Sequence, residues 1–593
     1  MKKLMTGNEA IARGAWEAGV HYASAYPGTP STEILENIAT YKEDIVAEWG
    51  PNEKVALEMV IGAAFAGGRS LAAMKHVGVN VAADPLFTVS YTGINGGLVL
   101  VSADEPGHFS SQNEQDNRNY AKFAKIAMLE PSNSQEAKDM TKIAFDISEK
   151  YDTPVFLRMT TRVCHSKSIV ACDERENVAI KKYEKNWSKR YPVPGTVNGM
   201  RVRVEERLEA LKVYSEETPL NAIEWHDKKV GVVASGVAFA YAKEVFGDTV
   251  SYLKLGFTNP LPANKIKTFC EGVDKVYVIE ENDPYIEDFI KNLGYECEGS
   301  SVLPYTGEMT PEVIRKSILG ISSNTTSLSD EVLPPRPPSL CAGCPHRGFF
   351  LELKKRKAVV SSDIGCYGLA SLEPYNVGDF CICMGASLSM GHGAQRVFDM
   401  KEESEQMRVV SVLGDSTFFH TGINSLLTVA YNGSNTINVI LDNRITGMTG
   451  HQENPGTGYT LQGKKTKEAD IEGMVRATGI EQVRTVDPNK LSDVKEALDW
   501  AFALDEPSAI ITKWPCVLKK FSDEDKADYA GAFQSTCKVD PEKCIGCRAC
   551  IRTGCPAISF NKETKKSTID PVSCVGCEVC LQVCPVKAIQ KEV

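Results

Sequence analysis

Two runs, Val409-Val410-Ser411-Val412-Leu413-Gly414-Asp415-Ser416 and Ile437-Asn438-Val439-Ile440-Leu441-Asp442-Asn443, decide how this chain is read. Each is an apolar stretch of strand length that stops on glycine, aspartate or asparagine. Two parallel strands joined by a crossover helix bring their terminal loops to one edge of a sheet. Asp415 and Asn443 would there offer oxygens to one small hard cation, with Gly414 and Ser416 framing the aspartate. Mg²⁺ takes about six oxygens and shares them with phosphate groups.

The same alternation extends outward in both directions. In residues 1–165, Thr6 is placed to cap a helix, and Ala23–Tyr26, Leu98–Ser102 and Val155–Met159 have strand character. Residues 166–228 are polar, with Pro192, Pro194 and Gly195, and predict an irregular connecting segment. Val230–Ala234 and Val276–Ile279 mark a smaller α/β domain over 229–326. Pro334, Pro335, Pro337 and Pro338 make 327–340 an extended linker. A third α/β domain fills 341–518, a charged second linker 519–537, and a cysteine-rich module 538–593. The expected class is α/β, with three doubly wound domains ahead of that module.

Net charge is −11, which gives nucleic-acid binding no electrostatic support. Lys2 and Lys3 precede no apolar core, so a signal peptide is not expected. No apolar run approaches the roughly 18 residues of a membrane span. The expected location is the cytoplasm, off the membrane. In that reducing compartment clustered thiols read as metal ligands rather than disulfides.

Eight of the 19 cysteines are Cys544, Cys547, Cys550, Cys555, Cys574, Cys577, Cys580 and Cys584. They form two runs of three cysteines at two-residue spacing, each followed by a remote Cys-Pro. Such runs wrap three corners of a cubane, and the remote cysteine ligates the other cluster. Cluster one should use Cys544, Cys547, Cys550 and Cys584. Cluster two should use Cys574, Cys577, Cys580 and Cys555. The competing reading is a pair of zinc sites, which need no proline-flanked fourth thiol. The module resembles bacterial two-cluster ferredoxins, with one extra residue before Cys555. That resemblance implies electrons leaving one at a time.

Gly414-Asp415-Ser416 and Asn443 resemble the diphosphate-binding signature of thiamine-dependent enzymes, Gly-Asp-Gly followed by a distant Asn. Ser416 stands where that signature has glycine. The resemblance implies thiamine diphosphate, with Mg²⁺ held by Asp415, Asn443 and the backbone carbonyl of Ile445. The segment Asn52-Glu53-Lys54-Val55-Ala56-Leu57-Glu58-Met59-Val60-Ile61-Gly62 is similar to the pyrimidine side of the same site, where a glutamate is followed by alanine and then glycine. Glu53 would hydrogen-bond the aminopyrimidine ring and so activate the cofactor. An exposed first-turn carboxylate favoured by the helix dipole is the competing reading of Glu53. Glu58 lies about 140° further round the helix and cannot share the role.

Tyr26-Pro27-Gly28-Thr29-Pro30-Ser31-Thr32 is similar to the opening turn of 2-oxoacid:ferredoxin oxidoreductases, in which Thr29 would contact the substrate. Ser31 or Thr32 capping the next helix is the plainer reading. With Lys75-His76-Val77-Gly78-Val79-Asn80, Cys341-Ala342-Gly343-Cys344-Pro345-His346-Arg347 and Thr446-Gly447-Met448-Thr449-Gly450, the whole chain resembles the alpha subunits of indolepyruvate ferredoxin oxidoreductases. That implies a pyrimidine domain, a small transketolase-C-terminal-like domain, a diphosphate domain and a two-cluster 4Fe-4S ferredoxin domain. It implies oxidative decarboxylation of arylpyruvates with coenzyme A, giving aryl-acetyl-CoA, CO₂ and reduced ferredoxin. It also implies a smaller beta (gamma-type) subunit and an (alpha-beta)2 assembly.

Cys341, Cys344, Cys366 and Cys516 are candidates for a third cluster beside the thiamine, against an inert set of thiols. His420 could contact an intermediate or move a proton, or simply pack. Arg118 could meet a substrate carboxylate, against a solvated loop arginine. Cys381 and Cys383 read as buried apolar residues. The alternatives are a related oxidoreductase for another 2-oxoacid or arylglyoxylate, or a non-catalytic electron-transfer scaffold.

Overall fold

A computed structural model of the 593-residue chain describes residues 1–322 and 336–592. Pro334 and Pro335 of the expected linker lie outside the described residues; Pro337 and Pro338 are exposed coil. The chain divides into two compact units, Met1–Asp330 and Glu331–Val593.

The first unit is built on a seven-stranded sheet. Its order is Phe257–Asn259, Ala127–Leu129, Val155–Thr160, Leu98–Asp104, Ser70–Lys75, Tyr22–Ala25 and Val46–Trp49. All pairings are parallel except that of Phe257–Asn259. Leu98–Asp104 is buried at every residue because helices cover both faces of a parallel sheet. Thr6 caps the helix Gly7–Glu17 in a reciprocal box with Glu9, as its position implied. A second sheet has the order Lys275–Ile279, Val230–Ser235, Ser251–Leu255 and Asn221–Glu224, the last antiparallel.

Two expectations change here. Residues 166–228 are not irregular, since Pro194–Glu217 is a 24-residue helix. Pro194 sits in its first turn, where a missing amide costs nothing. The small domain also begins earlier than residue 229, with the strand Asn221–Glu224. Its strand Phe257–Asn259 completes the first domain's sheet, so the two domains form one unit. Asn221 anchors that join: its amide donates to Ser215 and Phe257 carbonyls and accepts from the Gly256 and Phe257 amides, all at 2.9–3.0 Å.

The second unit carries a five-stranded, all-parallel sheet in the order Ala358–Ser361, Arg408–Gly414, Ile437–Asp442, Ser508–Lys513 and Gln482–Val486. Arg408–Gly414 and Ile437–Asp442 are direct neighbours, with Gly414 opposite Leu441. The expected linker 519–537 is structured: it contains the helix Asp523–Asp528, and buried Lys519 and Arg444 both pair with Asp525. The C-terminal module has two antiparallel pairs, Thr536–Val539 with Ile589–Glu592 and Ile558–Asn561 with Lys566–Ile569.

Candidate active site

In the first unit, the loops at the carboxyl ends of the parallel strands gather the candidate residues, where open α/β sheets bind ligands. Asn52 caps the helix Glu53–Phe65 by accepting from the Val55 amide at 2.9 Å. Glu53 therefore opens that helix directly after the strand Val46–Trp49, and it is buried rather than exposed. A Cβ at Gly78 would lie 2.7 Å from its Oε1, so only glycine fits beside this carboxyl. Glu58 is exposed and pairs with Lys54, away from Glu53.

Thr29 follows the strand Tyr22–Ala25 and is half-buried. Ser31 makes no cap; its hydroxyl donates to the Gly28 carbonyl at 2.8 Å and closes the turn. A Cβ at Gly28 would come within 3.1 Å of Lys75 Cβ. Lys75 and Glu105, which end neighbouring strands, form an ion pair at 3.6 Å that sequence reading gave no role. Burial pushes the Lys75 ammonium down, against the pull of Glu105. Burial works to raise Glu105, yet Ser111, Lys75 and Ser110 hold it below its ordinary value.

Arg118 requires a correction. It is neither a solvated arginine nor one open to a substrate carboxylate. It is fully buried, bonded bidentately to Asp116 and to Glu280 at 2.6 Å. Its remaining hydrogen bonds go to the Glu281 and Asp283 carbonyls. The guanidinium ties the Asp116 loop to the small domain's sheet.

In the second unit, Asp415, Ser416 and Asn443 are buried at adjacent strand ends. Asn454 donates to Asp415 at 3.0 Å, and Thr446 donates to the Ser416 hydroxyl at 3.0 Å. Ser416, the departure from glycine, thus ties its loop to the one after Asn443. Arg444 takes a left-handed conformation at φ 58°, turning the chain between Asn443 and Ile445. Burial, then neighbouring Asp442, pushes the Asp415 carboxyl up to about 8. Burial also raises Asp442, against Arg444 and Lys513. Two buried carboxylates repelling each other call for a cation, and a divalent metal shared with a diphosphate fits these oxygens. His420 is buried in a π-helical turn, Phe418–Gly422, directly after the Asp415 loop. Asn454 carries no sequence pattern that would have singled it out, and Thr446 stood out only as part of the Thr446–Gly450 motif, with no partner assigned.

The third thiol set adjoins this loop. The Cys516 amide donates to the Asn443 carbonyl at 2.9 Å. A Cβ at Gly447 would lie 3.4 Å from Asn443 Nδ2 and 3.6 Å from Cys366 Sγ. Burial pushes the Cys366 thiol up to about 11, and the neighbouring Cys516 and Cys341 thiols add to it. Asp363 holds the Cys366 loop in place by accepting from the Gly385 and Ser387 amides. Cys381 and Cys383 are exposed, contrary to the apolar reading of their segment.

In the C-terminal module, both cysteine loops share one backbone pattern. Gly546 and Arg548 flank Cys547 at φ 70° and 60°, and Gly576 and Glu578 flank Cys577 at φ 67° and 63°. Cys555 is an electrostatic neighbour of Cys574, Cys577 and Cys580. The Ala588 amide donates to Cys584 Sγ at 3.2 Å, and the Cys537 amide to Cys574 Sγ at 3.3 Å. The extra residue before Cys555 is absorbed by left-handed Gly554, φ 67°, where a Cβ would meet Pro374 at 2.8 Å. Among the described residues, no three His, Cys, Asp or Glu side chains converge as around one metal ion.

Indolepyruvate oxidoreductase subunit IorA of Pyrococcus horikoshii is 40% identical to this chain over 633 residues, covering 100% of this chain and 97% of its own. The chain belongs to the IorA family. The IorA of Archaeoglobus fulgidus is 38% identical, covering 99% and 97%. Within this IorA-family chain, residues 13–224 match the thiamine-diphosphate-binding model of pyruvate flavodoxin/ferredoxin oxidoreductases. Residues 363–512 match the C-terminal TPP-binding domain of thiamine pyrophosphate enzymes, and 528–588 a 4Fe-4S dicluster domain. Among solved structures, a 2-oxoglutarate:ferredoxin oxidoreductase from Magnetococcus marinus is similar over 54% of this chain and 65% of its own, at 18% identity and TM-score 0.45. The IorA-family chain is a thiamine-diphosphate-dependent 2-oxoacid:ferredoxin oxidoreductase that passes electrons through 4Fe-4S clusters. No described helix is long and apolar enough to cross a membrane.

Proposed function

We propose that this chain oxidatively decarboxylates arylpyruvates, of the indolepyruvate and phenylpyruvate type, with coenzyme A as acyl acceptor and ferredoxin as electron acceptor. The names of its full-length relatives support the substrate class. Their designation as a subunit supports a partner chain, which this reading takes to be a smaller beta subunit in an (alpha-beta)2 assembly. Thiamine diphosphate, when bound, supplies the nucleophilic carbon and electron sink that decarboxylation needs. Asp415, Asn443 and the Ile445 carbonyl would hold its Mg²⁺, with Gly414 and Ser416 shaping the loop. Glu53 would hold the aminopyrimidine ring. Thr29 would orient the substrate, and His420 would contact an intermediate or move a proton.

The observation that carries the electron-transfer half is the contact of the Asn443 loop with Cys366 and Cys516. A third 4Fe-4S cluster on Cys341, Cys344, Cys366 and Cys516 would stand beside the diphosphate loop. The two ferredoxin clusters would then use Cys544, Cys547, Cys550 and Cys584, and Cys574, Cys577, Cys580 and Cys555. The test is an anaerobic viologen-reduction assay with coenzyme A, the partner subunit and a panel of 2-oxoacids. Indolepyruvate and phenylpyruvate should outrun pyruvate and 2-oxoglutarate, and the reverse order refutes the substrate assignment.

A further inference from the structure

Arg347 follows the Cys341-Ala342-Gly343-Cys344 loop and is almost wholly buried. One terminal nitrogen donates to the Tyr375 hydroxyl and the Thr553 carbonyl, both at 2.7 Å. The other donates to the Leu340 carbonyl at 3.0 Å and the Cys341 carbonyl at 2.7 Å. Every acceptor is neutral, and buried Nε has no hydrogen-bond partner among the described residues. No carboxylate among the described residues pairs with this guanidinium, unlike buried Arg118 and Arg158, which face two or more. Burying an unpaired charge costs several kcal/mol unless an opposite charge lies close.

The surroundings identify that opposite charge. Thr553 lies between Cys550 and Cys555 of the ferredoxin module, while Leu340 and Cys341 begin the third thiol set. The two cysteine loops touch, since a Cβ at Gly343 would lie 2.1 Å from Val575 Cγ2, inside the Cys574–Cys577 loop. Thiolate-bound cubanes are anionic and gain one further negative charge on reduction. The guanidinium is hydrogen-bonded to the backbone of both cysteine sets, at Cys341 in one and at Thr553, two residues before Cys555, in the other.

We propose that Arg347 is a charge bridge between two iron–sulfur sites, stabilising the reduced state of the cluster on Cys574, Cys577, Cys580 and Cys555 and so raising its reduction potential. This inference rests on the cluster assignments above. The step it governs adds one electron, drawn from the oxoacid, to a cubane. No bond changes and no proton moves, because a guanidinium keeps its charge. A cation fixed by four neutral acceptors favours the reduced form without binding the cluster, so Arg347 is a positioning and potential-setting residue.

The test is an EPR-monitored potentiometric titration of the anaerobic, full-length protein, with iron and sulfide analysis. Arg347→Gln should keep its clusters but shift one couple about tenfold toward the oxidised form, equivalent to about 59 mV for one electron. Arg347→Lys should restore most of that shift, because it returns the charge. Tyr375→Phe removes a hydrogen bond but no charge, and should leave the midpoint in place. An unchanged midpoint in Arg347→Gln, or equal shifts in all three variants, overturns the proposal. If the glutamine variant assembles no clusters, the lysine variant decides: a near-wild-type midpoint supports the charge bridge and a full tenfold shift refutes it. Iron for only two cubanes in the wild type would sink the third-cluster assignment by itself, and the Arg347 shift would still be read on the ferredoxin couple.

Discussion

Asp415 and Asp442 sit side by side under cover; burial raises both above the ordinary carboxylate range, and the Asp442 charge adds to the rise at Asp415. A bound divalent cation relieves that repulsion, so cofactor and metal should stabilise the fold together. Asp415→Asn is expected to abolish retention of thiamine diphosphate through desalting while leaving iron content unchanged. Glu53 makes the complementary prediction. Its carboxyl is buried at a helix start, with Gly78 leaving room beside it. Glu53→Gln should cut viologen reduction by roughly 10²–10⁴-fold, the usual range for losing a positioned acid–base group. Its cluster absorbance should match wild type, and full activity would remove Glu53 from its assigned role. Gly78→Ala should impair activity in the same direction, because the added methyl collides with that carboxyl.

At the scale of elements, Asn221 joins the long helix, the small sheet and the added strand of the large sheet. Asn221→Ala would take a hydrogen bond from four backbone groups, of which the Gly256 amide keeps the Leu220 carbonyl, costing roughly 2–4 kcal/mol. Denaturant midpoints would show it, and a change below about 0.5 kcal/mol would mean that water replaces the amide. This join also marks where sequence reading failed. Runs such as Leu98–Asp104 and Ile437–Asp442 were legible because both faces are buried and the apolar signal is continuous. The helix Pro194–Glu217 was not. Only Thr196, Met200, Val204, Leu211 and Ser215 are buried along it, too sparse for a clear stripe, and Pro194 reads as a breaker although it sits in the first turn. The diphosphate loop and the ferredoxin cysteines could be read locally because their ligands lie at fixed spacing. The roles of Arg118, Asn454 and Thr446 could not, because Glu280, Asp415 and Ser416, which they bind, come from distant positions.

For the molecule as a whole, charge buried in the first unit sets an acid–base signature. Burial pushes Glu281 up to about 7 against the pull of Arg158, and Glu280 up to about 7 against Arg118. An unfolded glutamate titrates near ~4.3. Between those values the folded chain holds protons that the unfolded chain has released, so stability falls as pH rises from about 4.5 through 7. Glu281→Gln should flatten that fall, with a gain at pH 8 on the order of 1–3 kcal/mol and little change at pH 5. Thermal melts at the two pH values would check it, and a variant as pH-sensitive as wild type would overturn it.

The one-residue enlargement before Cys555 has a further consequence. Through Gly554 and the Thr553 carbonyl, it is one of the surfaces by which the C-terminal module rests on its neighbouring domain, here at Pro374, Tyr375 and Arg347. A stand-alone bacterial ferredoxin spliced in its place would lack that foothold. Such a chimaera would assemble both cubanes normally and still be a poorer electrical continuation of the catalytic half, because its wiring would end at a joint missing that clasp.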